Sequence, residues 1–310
     1  VVAEVDGIYT SHMRSEASRL LEAIDETLHV GRAAGCRVQV SHLKATGKKN
    51  WHLVDDALQM IRDARDEGLE AAADRYPYTA SNTDLDVLFP DWVFDGGRDT
   101  ALACLRDHGQ RAKLREEMLR ERADDYWGTV RIGSTIHPDN ARFTGQWLTD
   151  VAAALDLEPV DAVLHLTESD ELGTTAFFFG MSEENMWKIL AEPFVMFGSD
   201  ASLRVPHGPL CKDHPHPRAY GSLAKFARAA LDGKTVPFPE AVRKMTSLPA
   251  EQFRLEGRGM LARGQAADVV VLNPATIEDR ADYAAPHQLA VGIEHVIVNG
   301  VHTLDGTKLT

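Results

Sequence analysis

The sequence predicts an α/β fold built from parallel βα units and followed by a small β-rich segment. Three observations predict it. Short apolar runs alternate with amphipathic helical patterns through the first part of the chain, and the connections between them are short. The polar, chemistry-bearing residues fall at the C-terminal ends of those runs, where a (β/α)8 barrel has its catalytic rim. After Gly257 the helical periodicity gives way to β-branched runs separated by turn sequence.

Element by element, Ile8 and Tyr9 open a strand that ends in Thr-Ser-His-Met-Arg. A helical pattern over 15–34 places Leu20, Ile24 and Leu28 on one stripe, with Gly35 as its stop. Arg37 to Val40 forms a second strand, running into Ser-His-Leu-Lys. A second helix carries Leu53, Val54, Ala57, Leu58 and Ile61, and Gly68 closes it. A third strand, Leu69 to Arg75, leads into Tyr-Pro-Tyr. The middle is less regular. Residues 91–125 read as charged helix and loop, 130–134 as a short strand, and Val163–Leu166 and Phe194–Phe197 as apolar runs, the second ending in Gly-Ser-Asp. Helices are expected near 222–231 and 238–253. In the tail, 267–272 and 296–298 are β-branched, and Asn299-Gly300 is a hairpin signal. The chain contains no internal repeat.

Composition narrows the function. The 310 residues include 47 acidic and 33 Lys/Arg side chains, a net charge of −14. That balance argues against a nucleic-acid grip, which needs a basic face, and against a polybasic membrane anchor. No stretch approaches the roughly 18 consecutive apolar residues of a membrane span. Three widely spaced cysteines, Cys36, Cys104 and Cys211, do not form a disulfide framework, so a cytoplasmic protein is expected.

Histidines at strand ends carry the chemistry. His12 and His42 lie one βα unit apart and each ends a predicted strand, so adjacent barrel strands would aim both imidazoles into one mouth. Imidazole suits zinc and similar ions, and separate strands can supply the ligands of an open catalytic site. Either histidine could instead be a loop residue bonded to backbone. Asp200 ends a further strand, where a carboxylate can take a proton from a metal-bound water and deliver it to a leaving amine. A helix cap is the alternative for that aspartate.

The motifs Ser-His-Met-Arg-Ser-Glu, Val-Ser-His-Leu-Lys, Asp-Arg-Tyr-Pro-Tyr-Thr-Ala, Gly-Ser-Asp and Pro-His-Pro-Arg together resemble the D-aminoacylase (N-acyl-D-amino-acid deacylase) family of the amidohydrolase superfamily. Residues 241–250, 257–261, 264–274 and 298–300 extend the resemblance into the tail. It implies the C-terminal part of a (β/α)8 TIM-type barrel followed by part of a small β-sandwich domain: a barrel portion over 1–255, with an insertion near 90–190, and a sandwich portion over 256–310. It implies metal-dependent hydrolysis of the amide bond of N-acyl-D-amino acids, with one or two divalent ions, Zn2+ first among them. His12 and His42 are then metal ligands and Asp200 the general base and acid. Lys44, Tyr78 and Arg131 bind the substrate's α-carboxylate, and Arg218 approaches its side chain. A small-molecule substrate is the expected partner. Cyclic-amidase relatives of the dihydroorotase or hydantoinase type, and a non-catalytic half barrel, are the alternatives.

The family's His-x-His pair and bridging cysteine do not occur here, and His214-Pro-His216 lies in the Pro-His-Pro-Arg loop after the last strand. His12 corresponds to the fifth strand of the barrel. The expectation is therefore that the first four strands come from elsewhere in a longer polypeptide or from another chain, an expectation to which the absence of a starting methionine also contributes.

Overall fold

The computed structural model of the chain describes residues 1–306 and the backbone of 308 and 309. Four parallel strands form its first sheet. β1 (Ile8–Ser11) pairs with β2 (Arg37–Val40), β2 with β3 (Ala71–Arg75), and each pair is joined through a helix, α1 (Leu20–Ala34) and α2 (Leu53–Asp66). On α2 the buried residues Val54, Ala57, Leu58, Ile61 and Ala64 recur at helical spacing and face the sheet. The helix α1 seats so closely on β2 that a Cβ at Gly31 would come within 2.2 Å of Val38 Cγ2. It ends at Gly35, whose left-handed φ of 64° lets its N–H reach Gly31 O.

After β3 the chain leaves the sheet. β4 (Ser81–Asp84), α3 (Arg98–Arg106), α4 (His108–Glu121), β5 (Val130–Ile132), α5 (Leu148–Leu155), α6 (Pro159–Ser169) and β6 (Thr175–Phe178) make an excursion with its own antiparallel sheet, ordered β4-β6-β5, and its own core. α7 (Glu183–Ala191) returns the chain to β7 (Val195–Phe197), which pairs in parallel with β3. α8 (Arg218–Leu231), α9 (Phe238–Met245) and α10 (Ser247–Gln252) follow. The tail is an antiparallel sheet of β8 (Val269–Leu272), β9 (Ile293–Val298), β10 (Val301–Asp305) and β11 (Lys308–Leu309). Its β9–β10 turn has positive φ at both Asn299 (51°) and Gly300 (78°), the two-residue hairpin that the Asn-Gly pair encodes.

Three expectations are corrected. The apolar run Val163–Leu166 lies inside α6, where Val160, Val163, Leu164 and Thr167 are buried at helical spacing behind Pro159 in the first turn. The helix expected from Ser15 starts at Leu20, because the Glu16 carbonyl accepts from Thr46 N–H at 2.7 Å and Oγ1 at 3.0 Å. The helix expected over 238–253 breaks at Thr246, since the Pro249 ring would meet the carbonyl of Met245 in a continuous helix. The strands β4 and β6 were not visible in the sequence. Among the described residues no helix is long and apolar enough to cross a membrane, and Cys36, Cys104 and Cys211 are free thiols.

Candidate metal centre and active site

The C-terminal ends of β1, β2, β3 and β7 all point to one rim, and the loops just past them hold the ionisable groups. His12 directly follows β1 and His42 lies two residues beyond β2. Their rings meet edge to face with centroids 4.6 Å apart, and His12 Nδ1 stands 2.7 Å from His42 Nε2. Burial, and then the neighbouring His42, push the His12 imidazole below its ordinary pKa, toward the neutral form that can ligate a cation.

The remaining nitrogen of His42, Nδ1, lies 2.7 Å from Glu16 Oε1 and 2.7 Å from Lys44 Nζ, and Lys44 also pairs with Glu16. Burial opposes ionisation of Glu16, but the hydrogen bond with His42 and the Lys44 charge overcome it and hold the carboxyl down at about 2. A carboxylate on the outer nitrogen of an imidazole fixes its tautomer and frees the inner nitrogen, the usual support of a metal-binding histidine. Two imidazole nitrogens aimed at one point and backed by a carboxylate fit a divalent ion. His12, Glu16 and His42 form a cluster whose ligand atoms lie within 4.8 Å of one another.

Backbone geometry marks the same places. His42 and Asp200 both have left-handed φ, 41° and 50°. The His42 turn is held by the β3 residue Asp74, whose Oδ1 accepts the His42 N–H at 2.8 Å and whose Oδ2 accepts from Gln39 at 2.6 Å. Burial pushes the Asp74 carboxyl up. Gly198, in Gly-Ser-Asp, lies against it: a Cβ there would stand 2.9 Å from Asp74 Oδ1. The glycine therefore lets the loop carrying Asp200 pass beside the support of His42.

Asp200 Oδ2 pairs with Arg218 Nη1 at 2.6 Å. Arg218 begins α8, and its guanidinium lies 4.8 Å from the centre of the Tyr76 ring. Arg75 approaches the same ring at 4.1 Å and Lys44 at 5.7 Å, so three cations surround one phenol. Tyr76 is fully buried, and its hydroxyl, together with Arg75 Nε and Nη1, has no hydrogen-bond partner. A cavity of about 90 Å³ runs from Asp200 and Arg218 past His214 and His216 to Ser134 and Thr175 of the excursion.

The other expected residues stand farther from the rim pair. The Tyr78 hydroxyl donates to Asp279 Oδ2 at 2.6 Å, in a segment between β8 and β9 that folds back onto α8. Arg131 on β5 donates to Gly145 O at 2.5 Å and lies over Trp147. His214 and His216 are engaged elsewhere. His214 Nε2 contacts Tyr283 O at 2.9 Å, and His216 contacts Ala80 O at 3.0 Å while its Nδ1 accepts the Arg218 N–H. The structure thus groups His12, His42 and Lys44 directly, and Asp200 with Arg218. Sequence reasoning missed Glu16, Asp74 and the stacked Arg75–Tyr76 pair. All four lie in motifs already singled out, and Glu16 stands one helical turn's length of sequence beyond His12.

A family model described as an amidohydrolase family matches residues 189–303. The N-acyl-D-glutamate deacylase of Alcaligenes xylosoxydans xylosoxydans is 34% identical over 97% of this chain, which covers 52% of that protein. The D-aminoacylase of the same organism is 32% identical over 95% of this chain and 51% of its own length. Over nearly its whole length this chain is thus similar to deacylases of the D-aminoacylase type, and its C-terminal part matches an amidohydrolase family. A crystal structure of N-acyl-D-glutamate deacylase from Bordetella bronchiseptica, complexed with zinc and a phosphonate inhibitor, is similar with a TM-score of 0.78 at 31% identity, over 98% of this chain and 56% of that one. The chain spans about half the length of the curated relatives it matches.

Proposed function

We propose that this chain is the catalytic-rim half of a metal-dependent deacylase that hydrolyses the amide bond of N-acyl-D-amino acids. The observation that carries the reading is the pair of converging imidazoles, His12 Nδ1 and His42 Nε2 at 2.7 Å, on adjacent parallel strands of the sheet that also presents Asp200. In this reading the four parallel strands are strands five to eight of a (β/α)8 barrel spanning 1–255, and 256–310 is part of a β-sandwich. The rest comes from a longer polypeptide or another chain.

His12 and His42 would hold the ion, zinc by the chemistry of the donors and as in the Bordetella relative. A bound divalent ion supplies an acidified water and polarises a carbonyl. Glu16 keeps His42 in the tautomer that presents Nε2. Arg218 occupies one oxygen of Asp200, leaving the other to take the water's proton and return it to the departing nitrogen. Lys44 offers an ammonium to the substrate's α-carboxylate, joined by Arg131 and by Tyr78 once its hydroxyl leaves Asp279. Arg218, with Arg75 behind it on Tyr76, supports an acidic substrate side chain, consistent with the glutamate and aspartate named for two relatives.

The deciding experiment is Asp200→Asn in the polypeptide that carries the whole barrel. Turnover of N-acetyl-D-glutamate should fall by about 10²–10⁴-fold, the usual worth of general acid–base catalysis, while bound zinc stays constant. Full activity in the variant would remove Asp200 from its role.

A further inference from the structure

The antiparallel tail carries a second group of ligand-type side chains that the proposed reaction does not use. His295 on β9 stands directly opposite Asp305 on β10, and His302 stands opposite Ile297. Side chains alternate along a strand, so residues 302 and 305 should point to opposite faces of the sheet. They do not, because the β9–β10 register shifts between His302 and Leu304. That one-residue bulge at Thr303 turns an odd spacing into an even one and brings His302 and Asp305 to the face of His295.

The three then converge. The rings of His295 and His302 lie 5.2 Å apart, tilted by 36°, and His295 Nδ1 is 3.1 Å from Asp305 Oδ1. One ligand atom from each residue lies within 4.8 Å of the others. His295 Nδ1 is closed off from solvent, and its contact with Asp305 lacks hydrogen-bond alignment. A tetrahedral zinc ion with ligands about 2.1 Å away holds its donor atoms about 3.4 Å apart, close to the His295–Asp305 spacing already present. An ion pair between His295 and Asp305, which stand directly opposite each other, needs no bulge; the bulge is what brings the second imidazole to their face.

We propose that His295, His302 and Asp305 form a second site for a divalent transition-metal ion, distinct from the His12–His42 pair. Two imidazoles and one carboxylate favour zinc-class ions over calcium or magnesium, which take oxygen ligands. The ion would clip β9 to β10, and the surface position of His302 and Asp305 gives it an entry path.

The test is a cobalt(II) titration of the full chain carrying His12→Ala and His42→Ala, so that the first pair is silent. One equivalent should still bind and give the visible absorption of a tetrahedral site. Adding His302→Ala should abolish it, and Asp305→Asn, a surface change with little folding cost, should weaken it at least tenfold. The proposal is overturned if the double variant binds no ion, or if both tail substitutions leave binding unchanged.

Discussion

In the parallel sheet every residue of β2 is buried, whereas β8, β9 and β10 of the antiparallel sheet are half-buried or exposed, with Val270, Val298 and Val301 at 49%, 43% and 64% exposure. Both sheets have four strands, yet chemistry is positioned differently in each. Strands enclosed on both faces leave room along their length only for supporting side chains such as Asp74, so the reactive groups His12, His42 and Asp200 lie just past the strand ends. A half-open antiparallel strand can carry polar groups anywhere, and which face they take depends on register. In the first sheet position along the strand decides what a residue can do; in the second it is parity.

The comparison predicts where substitutions will matter. After Asp200→Asn, the largest effect is expected from Glu16→Gln at the rim, which removes the carboxylate from His42. Zinc affinity should drop about 10–100-fold by equilibrium dialysis, and unchanged affinity would break the assignment of Glu16 as the support of His42. The same variant has a pH signature. Because the folded carboxyl is held at about 2, below its ordinary 4.5, its contribution is complete above pH 4.5 and disappears as pH falls toward 2. The native protein should therefore lose stability across that window more steeply than the glutamine variant.

A smaller effect is expected from Gly198→Ala. Its Cβ would crowd Asp74, and a displacement of the Asp200 loop by a fraction of an ångström should cost about tenfold in kcat, with KM less affected. Equal kcat values would show that the loop tolerates the intrusion. The smallest effect belongs to the open sheet. Val270→Thr, on an exposed position of β8, should change stability by no more than about 0.5 kcal/mol in urea unfolding and leave turnover alone. A loss of several times that size would mean that this face is covered in the complete protein.

The parallel part of the fold was legible because each helix carries an apolar stripe and stops at a glycine, Gly35 or Gly68, and each strand is a short run between such helices. The predicted Arg37–Val40 strand is β2 without adjustment. The excursion was not legible. Its strand Ser81–Asp84 is entirely polar, so nothing in its composition distinguishes it from loop, and Thr175–Phe178 is only four residues long, with no apolar-polar alternation to mark it. His12 and His42 could be found because a repeated Ser-His marks equivalent ends of successive strands. Glu16 could not, since its place beside His42 depends on the irregular segment before Leu20, which the apolar stripe of 15–34 does not distinguish from helix. Asp74 escaped for a related reason: its work is to hold a backbone N–H in the neighbouring loop, and no spacing rule connects residues 74 and 42.

The left-handed backbone at His42 and Asp200 limits what selection can do with this rim. Glycine enters that region freely, and asparagine, aspartate and histidine enter it more readily than other side chains, whereas β-branched residues are strained there. A saturation library at either position would thus be filtered by folding before any assay of chemistry. The surviving side chains would be mostly small or hydrogen-bonding ones, so a new activity on this scaffold would have to arise from neighbours such as Lys44, Arg75 and Arg218.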